Sequence, residues 1–164
     1  MALRNLNDVY LHQLQDMYSA DRQALAVTRR LANLAKDEHL VSALDAGVEG
    51  IRRGMKEMEQ LLARHGADTE TEHSEAMEGI VAEIKHDLLE AEFDDPYPRD
   101  AMIAAQYQRM AHFAIAGYGT ALAFAQRLGL TEDAGQLKKN LDTAYSGDRT
   151  MTQIANGNVN QKAA

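Results

Sequence analysis

The sequence predicts an all-α protein, a four-helix bundle with one additional short helix in its crossover. Three observations carry that expectation. Apolar residues recur at spacings of three and four along most of the 164 residues. Two prolines are too few for a β-chain built on many tight turns. Aromatic residues are 5% of the chain with no Trp, so the core must be aliphatic, with eight Met as adaptable filler.

The first helix is expected over 7–36, with Tyr10, Leu14, Met17, Tyr18, Leu25, Leu31 and Leu34 as its stripe. Asp37 is a suitable N-cap for a second helix over 38–65, carrying Val41, Leu44, Val48, Ile51, Met55, Met58 and Leu62. Gly66 stops it. The run from Thr69 to Glu72 has capping-box spacing and should open a short third helix with Met77, Ile80, Val81, Ile84 and Leu88. Both prolines fall in 93–99, the one clear breaker. A fourth helix over 100–128 places Ile103, Tyr107, Ala111, Ala114, Tyr118, Leu122 and Ala125 on one side, and Gly129 ends it. Thr131 is expected to cap a fifth, with Leu137, Leu141, Ala144, Met151 and Ala155 inward. The polar tail 156–164 should fray. The four long helices would measure roughly 35–45 Å at 1.5 Å per residue, as one domain over 1–164 with the short helix as crossover.

Composition narrows the function. A net charge of −8 argues against nucleic acid and against anionic lipid surfaces. The absence of Cys removes disulfides, thiolate catalysis and thiolate metal sites. No apolar run has the length of a spanning helix, and the first residues lack a signal-peptide core, so a cytoplasmic protein is expected. There is no G-x-S-x-G and no phosphate-binding loop.

Polar residues in the stripes are more informative. Asp21 lies between Met17 and Leu25, and Asp148 between Ala144 and Met151. Both occupy seam positions, where a lone carboxylate needs a cation, a metal or hydrogen bonds. A slight roll of either helix would instead take them to water. Glu49 and Arg52 sit at the edge of the second stripe, either joining a polar cluster with those aspartates or forming a solvated ion pair. Glu83 and His86 have the E-x-x-H spacing but fall opposite Ile84 and Leu88, which points them to solvent. His112 flanks the fourth stripe as a metal ligand or a hydrogen-bonded neighbour. Gly47, Gly50 and Gly54 cost helix stability on neighbouring turns, which points either to close approach of another helix, within the chain or across a dimer, or to tolerated drift.

The chain resembles the YciE/YciF family of bacterial ferritin-like proteins over nearly its whole length. The resemblance rests on Tyr18-Ser-Ala-Asp-Arg-Gln23, Glu75-Ala-Met-Glu-Gly79, Arg99-Asp-Ala-Met-Ile-Ala-Ala-Gln106, Ile115-Ala-Gly-Tyr-Gly-Thr120 and Asn158-Val-Asn-Gln-Lys162. It implies a ferritin-like four-helix bundle with one additional short helix in the crossover, a homodimer, and a link to bacterial stress responses.

Ferritin-like bundles hold two iron or manganese ions with carboxylates and two Glu-x-x-His motifs. Against that pattern the resemblance gives Asp21 where the family has Glu, Glu49 retained, and Arg52 in place of His. Ala111, Ala114 and Ala144 stand in acidic positions, while His112 and Asp148 are retained. Asp21, Glu49, His112 and Asp148 are thus the candidate remnant of a metal site. Arg52, paired with Asp21, Glu49 or Asp148, would replace the metal ions, with Arg53 on a rotated second helix as the nearest variant, and Arg52→Met would then strand a buried charge at a cost of ~3–5 kcal/mol.

The function this favours is a non-enzymatic bundle with a degenerate metal centre, structural or interacting in stress, with no cofactor. One alternative is an iron or manganese protein, dinuclear or mononuclear, with oxidase, peroxide-scavenging or ferroxidase activity. Another is a helical module that binds a protein partner or an apolar ligand through its Met-containing seam.

Overall fold

The computed structural model describes residues 3–70 and 72–164. Helix α1 (Leu6–Leu34) begins at Asn5, whose side chain accepts the Asp8 N–H. Helix α2 (Glu38–Arg64) begins at Asp37, which accepts the N–H groups of His39 and Leu40. Gly66 then takes a left-handed φ of 67°. The Ala67 N–H reaches back to the Leu62 carbonyl at 3.0 Å, which satisfies an orphan acceptor of the last turn. Gly129 repeats the device with φ 73°, after α4 (Pro96–Arg127).

Three expected boundaries move. Helix α3 (Glu75–Ile84) starts behind Ser74 rather than at the Thr69–Glu72 run; Thr71 of that run lies outside the described residues. Ser74 makes no side-chain cap, and its N–H is held by the Ser19 hydroxyl of α1 at 3.0 Å. A π-helical turn, Lys85–Glu90, extends α3. Helix α4 starts inside the expected breaker because Pro96 occupies the first helical position, where a missing N–H costs nothing, and Asp95 caps Tyr97. Helix α5 (Thr131–Ile154) takes Leu130 in the cap position, so Thr131 is already helical.

The tail does not fray. Helix α5 continues through a π-helical turn, Ala155–Val159, into α6 (Asn160–Ala163). Val159 is 1% exposed. Asn158 and Lys162 donate to the Asp37 carboxylate at 2.6 and 3.0 Å. Burial would push that carboxyl up, but Lys162 and the N–H groups of Leu40 and His39 outweigh it and hold it below its ordinary value.

The topology follows from two polar closures. At one end Asp100, near the start of α4, accepts the N–H groups of Lys36 and Asp37 at the α1–α2 corner. At the other end Asp133, in the first turn of α5, accepts from Tyr10 at 2.9 Å, from His65 at 2.6 Å and from Arg64 at 3.1 Å. Hence α2 and α4 run parallel, and α1 and α5 run antiparallel to them. The crossover helix α3 lies outside, against α1 and α4. This is the ferritin-like arrangement of two hairpins joined by a long crossover, and no strand occurs among the described residues.

Buried apolar residues form two clusters. One holds Leu31, Leu40, Leu44, Met77, Ile84 and Ile103 near the Asp37 end. The other holds Tyr10, Leu14, Met58, Leu61, Leu62 and Leu137 near the Asp133 end. Between them lies a level of small and polar side chains.

Asp100 is fully buried. Asp100→Ala orphans the two N–H groups of the α1–α2 corner and should lower stability by about 2–3 kcal/mol, read as a lower urea midpoint at unchanged slope.

Candidate functional site

The middle level is built by α1, α2, α4 and α5. Helix α4 sends two tyrosines, Tyr107 and Tyr118, across the bundle toward α2. A Cβ at Gly47 would stand 2.5 Å from the Tyr107 hydroxyl, and one at Gly54 would stand 3.1 Å from the Tyr118 hydroxyl. Two of the three helix glycines therefore make room for side chains of the same chain. Gly50 meets only Thr143, at an ordinary 3.7 Å.

Around these contacts lies a cavity of about 370 Å³. Ala111 and Ala114 of α4 and Ala144 of α5 form part of its wall, the three positions that the resemblance identifies as acidic. Met110, Met151 and Ile51 supply apolar surface. Asp21, Thr28, Tyr107, Tyr118 and Asn140 are its buried polar lining. The Thr28 hydroxyl and the Asn140 amide nitrogen are buried with no hydrogen-bond partner among the described residues.

Asp21 is the one sequence candidate that reaches this centre, at 5% exposure. Its Oδ2 accepts from the Tyr118 hydroxyl. Desolvation pushes its carboxyl up to about 7, only partly countered by that hydrogen bond. The same burial, with the Asp21 charge beside it, drives the Tyr118 phenol well above its ordinary value. Among the described residues no basic side chain bonds Asp21.

The other candidates lie elsewhere. Asp148 turns away from the cavity and accepts from Gln108 at 3.0 Å, with His112 at 3.1 Å on the same oxygen. The His112 side chain is 67% exposed. Glu49 and Arg52 bond each other at 2.5 Å, with side chains 64% and 51% exposed. Arg52 thus has one of its expected partners, but at the surface; it replaces no metal and shields no buried charge. The cause is phase: α2 turns Gly47, Gly50 and Gly54 inward, which puts Glu49 and Arg52 on the rim. Glu83 and His86 face solvent as the pattern requires, on Arg109 and Asp87.

These positions do not fit the metal pair of a ferritin-like centre. Such a centre needs several carboxylates and imidazoles converging on one point. Here one carboxyl faces the cavity, and among the described residues no three His, Asp or Glu side chains are placed to hold an ion. Sequence reasoning missed the polar tyrosines, which read as stripe residues, and Thr28 and Asn140. The α2 glycines were the legible signal. It also missed the Tyr10–His65–Arg64–Asp133 cluster, whose members are 68 to 123 residues from Asp133.

Among the described residues no helix is long and apolar enough to cross a membrane. A family model described as a domain of unknown function, DUF892, matches residues 5–164. Protein YciF of Escherichia coli K12 is 30% identical over 164 residues, covering 99% of this chain and 98% of that protein. The crystal structure of the E. coli stress protein YciF superposes with a TM-score of 0.89 at 29% identity, over 97% of this chain and 99% of the other. YcfI from Rhodopseudomonas palustris gives a TM-score of 0.87 at 25% identity, over 93% and 96%.

Two outcomes follow from the geometry. A carboxyl with its folded pKa raised from 3.8 to about 7 holds its proton in the native state while the unfolded chain has lost it. Its stabilising contribution is complete below the unfolded value and is lost as pH rises to about 7, a fall on the order of 4 kcal/mol. Asp21→Asn should remove that slope, measured by urea unfolding between about pH 4 and 8. Arg52→Met should change stability by less than about 1 kcal/mol, since an exposed pair contributes little; a loss of several kcal/mol in the same assay would restore the buried-pair reading.

Proposed function

Because the chain belongs to the DUF892 family, we propose that it serves as a non-enzymatic ferritin-like bundle with a degenerate metal centre, acting structurally or by interaction in the bacterial stress response. One observation carries this reading: where metal ligands would converge, Ala111, Ala114 and Ala144 line a cavity with a single carboxyl, Asp21. The stress role is supported by similarity to YciF, described as a stress protein. The working form in this reading is a homodimer in the cytoplasm, for which exposed Tyr97, Met102 and Tyr145 offer apolar surface.

The test is elemental analysis of protein purified without chelator and again after loading with Fe²⁺ or Mn²⁺ and desalting. The expected result is well under one metal per chain in every condition. One or more per chain, lost in Asp21→Ala, would overturn the reading in favour of a metalloprotein.

A further inference from the structure

Asp21 is a buried carboxyl with most of its acceptor capacity unused by the described residues. The Tyr118 hydroxyl occupies Oδ2, and Oδ1 has no partner among the described residues. The other buried carboxylates of the bundle are fully engaged: Asp37 by Lys162 and Asn158, Asp100 by backbone N–H groups, Asp133 by Arg64, His65 and Tyr10. Asp21 has no cation bonded to it among the described residues, yet it lines the cavity between the helices. Arg53 also lines that cavity, as an exposed side chain at its rim. A buried carboxylate without a counter-charge is costly, and a cation delivered from outside removes that cost.

The rest of the cavity defines what such a cation would be attached to. Its volume of about 370 Å³ exceeds that of a metal ion and falls in the range of small-molecule pockets. Ile51, Met110, Met151 and the alanines offer apolar contact. The tyrosine rings of Tyr107 and Tyr118 flank the space, and aromatic faces attract ammonium groups. The net charge of −8 favours approach of cations.

We propose that the central cavity binds a small amphipathic organic amine, its ammonium on Asp21 Oδ1 and its apolar body against Ile51, Met110 and Met151. This rests on the reading that no metal fills the centre. The small residues at 111, 114 and 144 then have a positive role, as the space the ligand occupies.

The experiment is isothermal titration calorimetry of the whole chain, exhaustively dialysed and metal-free, with 2-phenylethylamine as the probe. The size-matched neutral 2-phenylethanol and the anion 3-phenylpropanoate are titrated alongside at about pH 8, where Asp21 is ionised. The expected result is one saturable site for the amine, with both analogues at least about tenfold weaker, the scale of a charge-assisted hydrogen bond. Asp21→Asn should weaken the amine by a similar factor, and Ala144→Leu, which fills the space and leaves Asp21 in place, should abolish binding. Helical circular dichroism checks that each variant folds; if Asp21→Asn does not, the three-ligand comparison on the unaltered chain decides. No saturable amine binding, equal binding of the alcohol, or unchanged binding to Ala144→Leu would each overturn the proposal. Metal found by elemental analysis would sink the underlying reading separately, since the calorimetry uses metal-free protein.

Discussion

The spacing of the bundle is set where two tyrosines of α4 meet two glycines of α2. Tyr107 and Tyr118 are eleven residues apart, three helical turns, and so point the same way. Gly47 and Gly54 are seven apart, two turns, and receive their hydroxyl ends. Any side chain at Gly47 would collide with a phenol and force the helices apart or the ring aside. Everything at the middle level inherits this geometry. The phenols span the bundle at two heights, small residues fill α2 and α5 between them, and space remains open.

The polar interior is arranged by position along the bundle axis. At each end a buried aspartate is saturated: Asp100 by the backbone of the α1–α2 corner, Asp133 by Tyr10, His65 and Arg64. Asp37 joins the first end by holding the tail. These groups fasten helices that apolar packing alone would leave free to slide. At the centre Asp21 bonds one neutral phenol among the described residues, and desolvation dominates its chemistry. Position and partners, rather than residue type, separate an aspartate that fastens two helices from one that desolvation keeps protonated near neutral pH.

Much of this was legible in the sequence. The 3.6-residue stripes located the helices, and Gly66 and Gly129 marked two ends because only a left-handed residue closes those turns. The inward seam position of Asp21 was legible from Met17 and Leu25. What failed did so for physical reasons. Pro96 reads as a breaker until its place at the first helical position is known. The polar tail reads as frayed because its anchor, Asp37, lies over 120 residues away. Arg52 and Glu49 lie near the boundary between core and rim, where a small rotation of α2 decides burial and spacing cannot. His112 and Asp148 meet each other, but on an outer face.

The crossover has a further consequence, in the order of assembly. The α1–α2 and α4–α5 hairpins are local and can form independently. The hydrogen bonds that close the two ends, Tyr10 to Asp133 and Asn158 to Asp37, span 123 and 121 residues. Because α4 must run parallel to α2, the segment containing α3 has to traverse the length of the bundle before either closure can form. Contacts so distant in sequence slow a folding reaction compared with an up-and-down bundle of equal size. The slow step expected of this topology is therefore the docking of one hairpin on the other, which the central level must accommodate.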